Sequence, residues 1–146
     1  MKGSRLLVHG IGLFAILIVL SACRNVLGGV SVSEVWARPG LADGNSAVFF
    51  VIENSTETED RLISAHSEVA KAVELHKSSM EDGKMKMEMQ EFVPVIGGET
   101  VVFKPGDFHV MLIGLHDDLA VGDHVTVTLQ FESAGEIVLD VVVREP

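Results

Sequence analysis

Lys84–Val93 reads KMKMEMQEFV. The stretch alternates strictly, with Met85, Met87 and Met89 on one side and Lys84, Lys86, Glu88 and Gln90 on the other. A period of two is the mark of a β-strand, because successive side chains leave opposite faces of the pleat. A core strand draws on Val and Ile; here the thioethers supply almost all of the apolar character. Upstream, Ser78–Gly83 (SSMEDG) reads as a turn, and Arg61–His66 and Val69–His76 as extended segments, with a helix over Glu68–Leu75 the less favoured alternative. Asn54–Asp60 (NSTETED) is a polar loop and Ala47–Glu53 (AVFFVIE) a dense apolar strand predicted to be buried on both faces. Val30–Trp36 alternates loosely and is ended by Pro39-Gly40. Downstream, turns at Gly97-Gly98 and Lys104–Asp107 bracket a short strand, Thr100–Phe103. His109–Leu115 (HVMLIGL) and His124–Phe131 (HVTVTLQF) follow, joined by the polar stretch Asp117–Asp123, and Ile137–Val143 is the last strand. Seven to nine short strands with regular turn signals and almost no helical period predict an all-β fold, an antiparallel β-sandwich. No internal repeat interrupts it, so residues 30–146 are expected to form a single domain.

The start of the chain has a different character. Lys2 and Arg5 precede an uninterrupted apolar run, Gly10–Leu20, too short to span a bilayer comfortably. The run ends in Leu20-Ser21-Ala22-Cys23, which resembles a bacterial lipobox. Residues 1–22 are therefore expected to be a lipoprotein signal peptide, with Cys23 as the lipidation site and residues 23–29 (CRNVLGG) as its tether. Several acyl chains on Cys23 would hold the domain on a membrane face, where one chain binds only reversibly. An uncleaved anchor helix is the less favoured alternative. The expected location is extracytoplasmic, in the periplasm or on the outer face of the cell membrane. Cys23 is the only cysteine, so the mature domain would hold neither thiol nor disulfide. That excludes a blue-copper centre, which needs a thiolate, and it excludes nucleophilic cysteine chemistry. Loss of the leader leaves 9 basic against 21 acidic residues, a formal charge of −12, which argues against nucleic acid as a partner.

His76, Met87, His109 and Met111 stand in the arrangement H-x10-M-x21-H-x-M. In a strand, His109 and Met111 share a face and present a nitrogen and a sulfur side by side. A strand opening directly after the turn Pro105-Gly106-Asp107 puts that pair at the rim of the sandwich. Two imidazoles and two thioethers meeting at one point suit a soft monovalent metal, above all one Cu(I) ion, and disfavour Mg, Ca and Zn. Thioethers carry no proton to lose and form no disulfide, so such a site can work in an oxidising compartment. Each residue also has a bland reading: a surface histidine beside a core methionine, or methionine as gap filler. Five thioethers between Met80 and Met111 argue that sulfur is wanted and not volume alone; which of Met80, Met85 and Met89 join the site stays open. His66, His116 and His124 read as surface residues, and Trp36 as a core aromatic. No EF-hand pattern, phosphate loop or G-x-S-x-G elbow is present, so a carrier and not an enzyme is expected. The competing reading is a lipid-anchored, metal-free β-sandwich that binds or scaffolds a partner.

The same residues carry a family resemblance. Trp36-Ala37-Arg38-Pro39, Val73-Glu74-Leu75-His76, Met85-Lys86-Met87, Lys104-Pro105-Gly106, His109–Leu115 and Phe131–Gly135 make the chain similar to the PCuAC-type periplasmic copper chaperones of the DUF461 group, over about residues 30–143. The resemblance implies a cupredoxin-like, Greek-key β-sandwich holding one Cu(I) through His76, Met87, His109 and Met111. It also implies delivery of copper to the Cu(A) centre of cytochrome c oxidase, with oxidase subunit II or a Sco-type protein as partner. The chain departs from some members in having Lys77-Ser78-Ser79-Met80 after the first histidine, and from others in ending at Arg144-Glu145-Pro146 without a His/Met-rich tail.

Overall fold

The computed structural model of the chain describes residues 29–146. The expected signal peptide and the lipidation site at Cys23 lie outside the described residues. Ten strands are present: β1 (Val30–Ala37), β2 (Asn45–Asn54), β3 (Asp60–His66), β4 (Ala70–Glu81), β5 (Lys84–Met89), β6 (Val93–Val95), β7 (Thr100–Phe103), β8 (Phe108–Leu115), β9 (His124–Phe131) and β10 (Gly135–Val143). There is no helix among the described residues, so Glu68–Leu75 is extended chain. The strands form one continuous path, β5-β4-β8-β2-β1-β10-β9-β3-β6, with β7 also paired to β2. β3 packs against β4 although five strands of the path lie between them, so the sheet closes over its own inner face.

The core lies between the two halves. In β9, Val125, Val127, Leu129 and Phe131 are buried while His124 and Thr126 are exposed, the alternation expected of a strand with one wet face. Burying a side chain such as Phe131 or Leu129 contributes roughly 1.5–3 kcal/mol each. β2 is buried on both faces as its composition predicts: Phe50 stacks on Phe103 in the main core at 4.3 Å, while Phe49 faces outward and meets Trp36 at 4.6 Å. Trp36 is therefore buried, but in a small outer cluster with Ala47 and Phe49 and not in the main core. A bulge puts it there. The β1–β2 register shifts between Ser33 and Trp36, where Glu34 adopts a φ of 54°. That extra residue turns Trp36 onto the face of Phe49, and it is why the alternation of β1 is loose.

Two features differ from the sequence reading. All pairings are antiparallel except one: β1 and β10 run parallel, with Trp36 opposite Val142. And Ser78–Gly83 is not a turn throughout. β4 continues to Glu81, and only Asp82 (φ 49°) and Gly83 (φ 74°) turn the chain before Lys84. Two consecutive left-handed residues are the type I′ geometry that Asp-Gly favours in tight hairpins. The polar composition of SSMEDG conceals a strand that has no core to face.

Candidate metal centre

Three strands bring the predicted residues together. His76 of β4 lies directly opposite His109 of β8, and their ring centroids are 5.7 Å apart. On the other edge of β4, His76 faces Met89 and Ser78 faces Met87 of β5. Cross-strand partners share a face, so Met85, Met87 and Met89 lie on the same side of the sheet as His76, His109 and Met111. The alternation of KMKMEM thus sets all three thioethers toward the histidine side.

Met87, His109 and Met111 line one open cavity of about 450 Å³, together with Met85, Phe49, Arg38 and Pro105. His76 neighbours His109 but does not line the cavity. The cavity owes its rim to an interruption in the chain. β7 and β8 run one after the other along the same edge of β2, Phe103 opposite Phe50 and Val110 opposite Val48. Between them Lys104–Asp107 loops outward, closed by the hydrogen bonds from Lys104 N–H to the Phe108 carbonyl and from Asp107 N–H to the Lys104 carbonyl. Gly106, at a φ of 82°, supplies the left-handed residue the loop needs. The excursion frees the Asp107 carbonyl, which accepts from Ser78 N–H at 3.1 Å and from His109 Nδ1 at 3.0 Å.

Both histidines have their tautomers fixed by partners that can only accept. The Asp107 carbonyl requires the proton on His109 Nδ1, which leaves Nε2 with its lone pair. The Glu74 carboxylate lies 2.8 Å from His76 Nε2 and fixes the proton there, which leaves Nδ1 with its lone pair. That Nδ1 is buried and has no hydrogen-bond partner in the protein. A buried polar atom without a partner costs about 1–3 kcal/mol, and a bound metal ion would satisfy it. The carboxylate–imidazole arrangement is the one that orients metal-ligating histidines. His109 is only 4% exposed, and this burial pushes its pKa below the ordinary value of 6.5; the hydrogen bond to Asp107 opposes the shift, while His76 and Arg38 add to it. The imidazole is thereby kept neutral, the form that ligates.

The four side chains present two nitrogens and two thioether sulfurs, all uncharged, a set chemically suited to a soft monovalent ion. Arg38 lies over the Phe49 ring at 5.3 Å on the wall of the same cavity, and its charge further disfavours ions of higher valence. Among the described residues no group of three or more His, Cys, Asp or Glu side chains is arranged to hold a metal. Glu74, Asp107 and Arg38 were not singled out from the sequence as parts of this site. Glu74 carries a legible signal, since it precedes His76 by two positions in a strand. His66, His116 and His124 are exposed, as expected, and His124 pairs with Asp140 at 3.0 Å.

Comparison with known proteins bears on the fold and the family. The solved copper-bound PCuAC domain from PmoF2 is 26% identical and superimposes with a TM-score of 0.69, covering 82% of this chain and 95% of that one. The apo PCuAC domain from PmoF1 is 27% identical with a TM-score of 0.67, over 82% of this chain and 96% of that one. In sequence, a protein of Leifsonia xyli subsp. xyli (strain CTCB07) named "Putative lipoprotein Lxx21020" is 29% identical over 118 residues, which is 80% of this chain and 70% of the relative. The family described as "Putative lipoprotein LpqE-like" matches residues 30–143, which is β1 to the end of β10, the whole of the fold just described. By that match the chain belongs to the LpqE-like family.

Proposed function

We propose that this protein is an extracytoplasmic Cu(I) carrier that holds one ion through His76 Nδ1, His109 Nε2 and the sulfurs of Met87 and Met111. The observation that carries the reading is the pair of histidines with opposite nitrogens left bare, one of them buried without a partner, beside a cavity lined by the thioethers of Met85, Met87 and Met111. The copper-bound state of the PmoF2 domain supports the choice of metal.

The geometry favours a carrier over a catalyst. The histidine side is closed and the sulfur side is open: His109 is buried, whereas Met87 is 52% exposed. A partner can displace Met87 first, while the imidazoles still hold the ion, and then draw it out through the open mouth of the cavity. Thioether exchange needs no proton transfer, so release is not tied to a change of pH at sulfur. By its resemblance to the PCuAC-type chaperones, the acceptor is the Cu(A) centre of cytochrome c oxidase, on subunit II or through a Sco-type protein. Lipidation at Cys23 would keep the carrier at the membrane that holds such an oxidase. The family description and the name of the Leifsonia relative support a lipoprotein.

The test is anaerobic Cu(I) competition against a colorimetric chelator, with the full chain and its Met87→Ile, Met111→Leu double variant. The proposal expects one tightly held ion in the native protein and at least about a tenfold loss of affinity in the variant, the lower range for disturbing a metal site. Equal affinities would defeat this ligand set, and no Cu(I) uptake by the native chain would favour the metal-free scaffold instead.

A further inference from the structure

The hairpin β4–β5 reaches beyond the sheet that supports it. β8 accompanies β4 only from Ala70 to Lys77; from Ser78 to Glu81 the sole strand neighbour of β4 is β5. All six residues of β5 are exposed, so this strand of the ribbon has no buried face. Yet its composition is sorted by face. On one side Lys86 binds Glu88 of the same strand at 2.6 Å and approaches Glu81 across the hairpin at 3.5 Å, an exposed ionic ladder. On the other side Met80 lies directly opposite Met85, and Met87 follows two residues on.

Met80 is 65% exposed and Met85 59% exposed. Neither fills a gap in a core, the usual reason for methionine. A solvent-facing strand position would be served better by Thr or a charged residue. Two thioethers set opposite each other by the β4–β5 pairing present two soft donors and nothing else, a set that discriminates for Cu(I) over the hard cations. Met85 also lines the cavity with Met87 and Met111, so the thioethers run from the hairpin tip into the proposed centre.

We infer that Met80 and Met85 form a second, open thioether site for Cu(I), the point at which the ion first lands and last leaves. The inference rests on the copper reading of the inner centre. With only two protein donors the outer site is coordinatively unsaturated, which leaves room for a donor from an incoming partner. An ion there exchanges fast, and each step inward trades one sulfur for another.

Ag(I), a redox-inert soft monovalent ion, is the probe. The full chain has six methionines, so methyl-13C-methionine labelling gives a resolvable set of signals. In the native protein the first equivalent of Ag(I) should move the methyls of Met87 and Met111, and the second those of Met80 and Met85. In a Met80→Leu variant, which leaves every residue lining the inner cavity in place, the first-equivalent shifts should persist and the second binding event should vanish; Met80 is exposed, so the fold tolerates the change. In a His76→Ala, His109→Ala variant the Met80 and Met85 methyls should still respond, which separates the outer site from the inner one. Met80 and Met85 methyls that stay unmoved through two equivalents in the native protein, whatever happens at Met87 and Met111, would overturn the inference.

Discussion

Glu74 holds the proton of His76, and its removal should be felt at the metal without touching it. Partners of ligating histidines typically account for 10–100-fold in metal affinity. Glu74→Gln is therefore predicted to weaken Cu(I) binding by about that factor, read by chelator competition, with an unchanged circular dichroism spectrum. His109 sets a pH dependence in the metal-free protein. Burial lowers its pKa from 6.5, so the unfolded chain takes up a proton at this residue before the folded chain does. Stability then falls as pH drops through the window just below 6.5, because protons favour the state that binds more of them. Thermal melts of the metal-free protein between pH 7.5 and 5.5 should show a shallower pH slope in His109→Gln than in the native chain. At this scale the sequence named the proposed donors and said little of what holds them. Spacing singled out His76, Met87, His109 and Met111, and period two could have added Glu74. The Asp107 carbonyl and the Arg38 side chain reach the site only through a loop excursion and a neighbouring strand, and neither leaves a local pattern.

The β4–β5 hairpin is the element that brings sulfur to the histidines, and its turn is its weak point. Gly83 sits at a φ of 74°, where a side chain is strained. Left-handed geometry costs a non-glycine residue roughly 1–2 kcal/mol. Gly83→Val should loosen the ribbon without unfolding the domain, since β5 contributes nothing to the core. Hydrogen exchange is the check: β5 amides should lose protection while those of β9 and β10 keep theirs. The same element is where the sequence misled. SSMEDG is as polar as a loop because this end of β4 buries no apolar side chain, Ser78 being its buried residue, and hydrophobic periodicity is blind to such a strand. By contrast β8, β9 and β10, each with one face in the core, were legible almost to the residue.

At the scale of the whole molecule, the core and the metal act on one folding equilibrium. Phe131 is fully buried at the centre of the sandwich. Phe131→Ala should destabilise the domain by about 3–5 kcal/mol, measured by urea denaturation. Free Cu(I) buffered at 1,000 times Kd should stabilise the native protein by about 4 kcal/mol, since only the folded chain joins residues from β4, β5 and β8. The class of fold was legible because ten short strands leave a period-two record. The parallel pairing of β1 with β10 was not, because it joins segments about a hundred residues apart and no local pattern says which strands become neighbours.

All of this depends on two imidazole nitrogens and two thioether sulfurs gathering around one reduced copper ion. X-ray absorption at the copper edge of the Cu(I)-loaded full chain, at one equivalent, counts those neighbours directly. The account predicts two sulfur and two nitrogen scatterers with the multiple-scattering features of histidine. A first shell of nitrogen and oxygen alone, without sulfur, would contradict it.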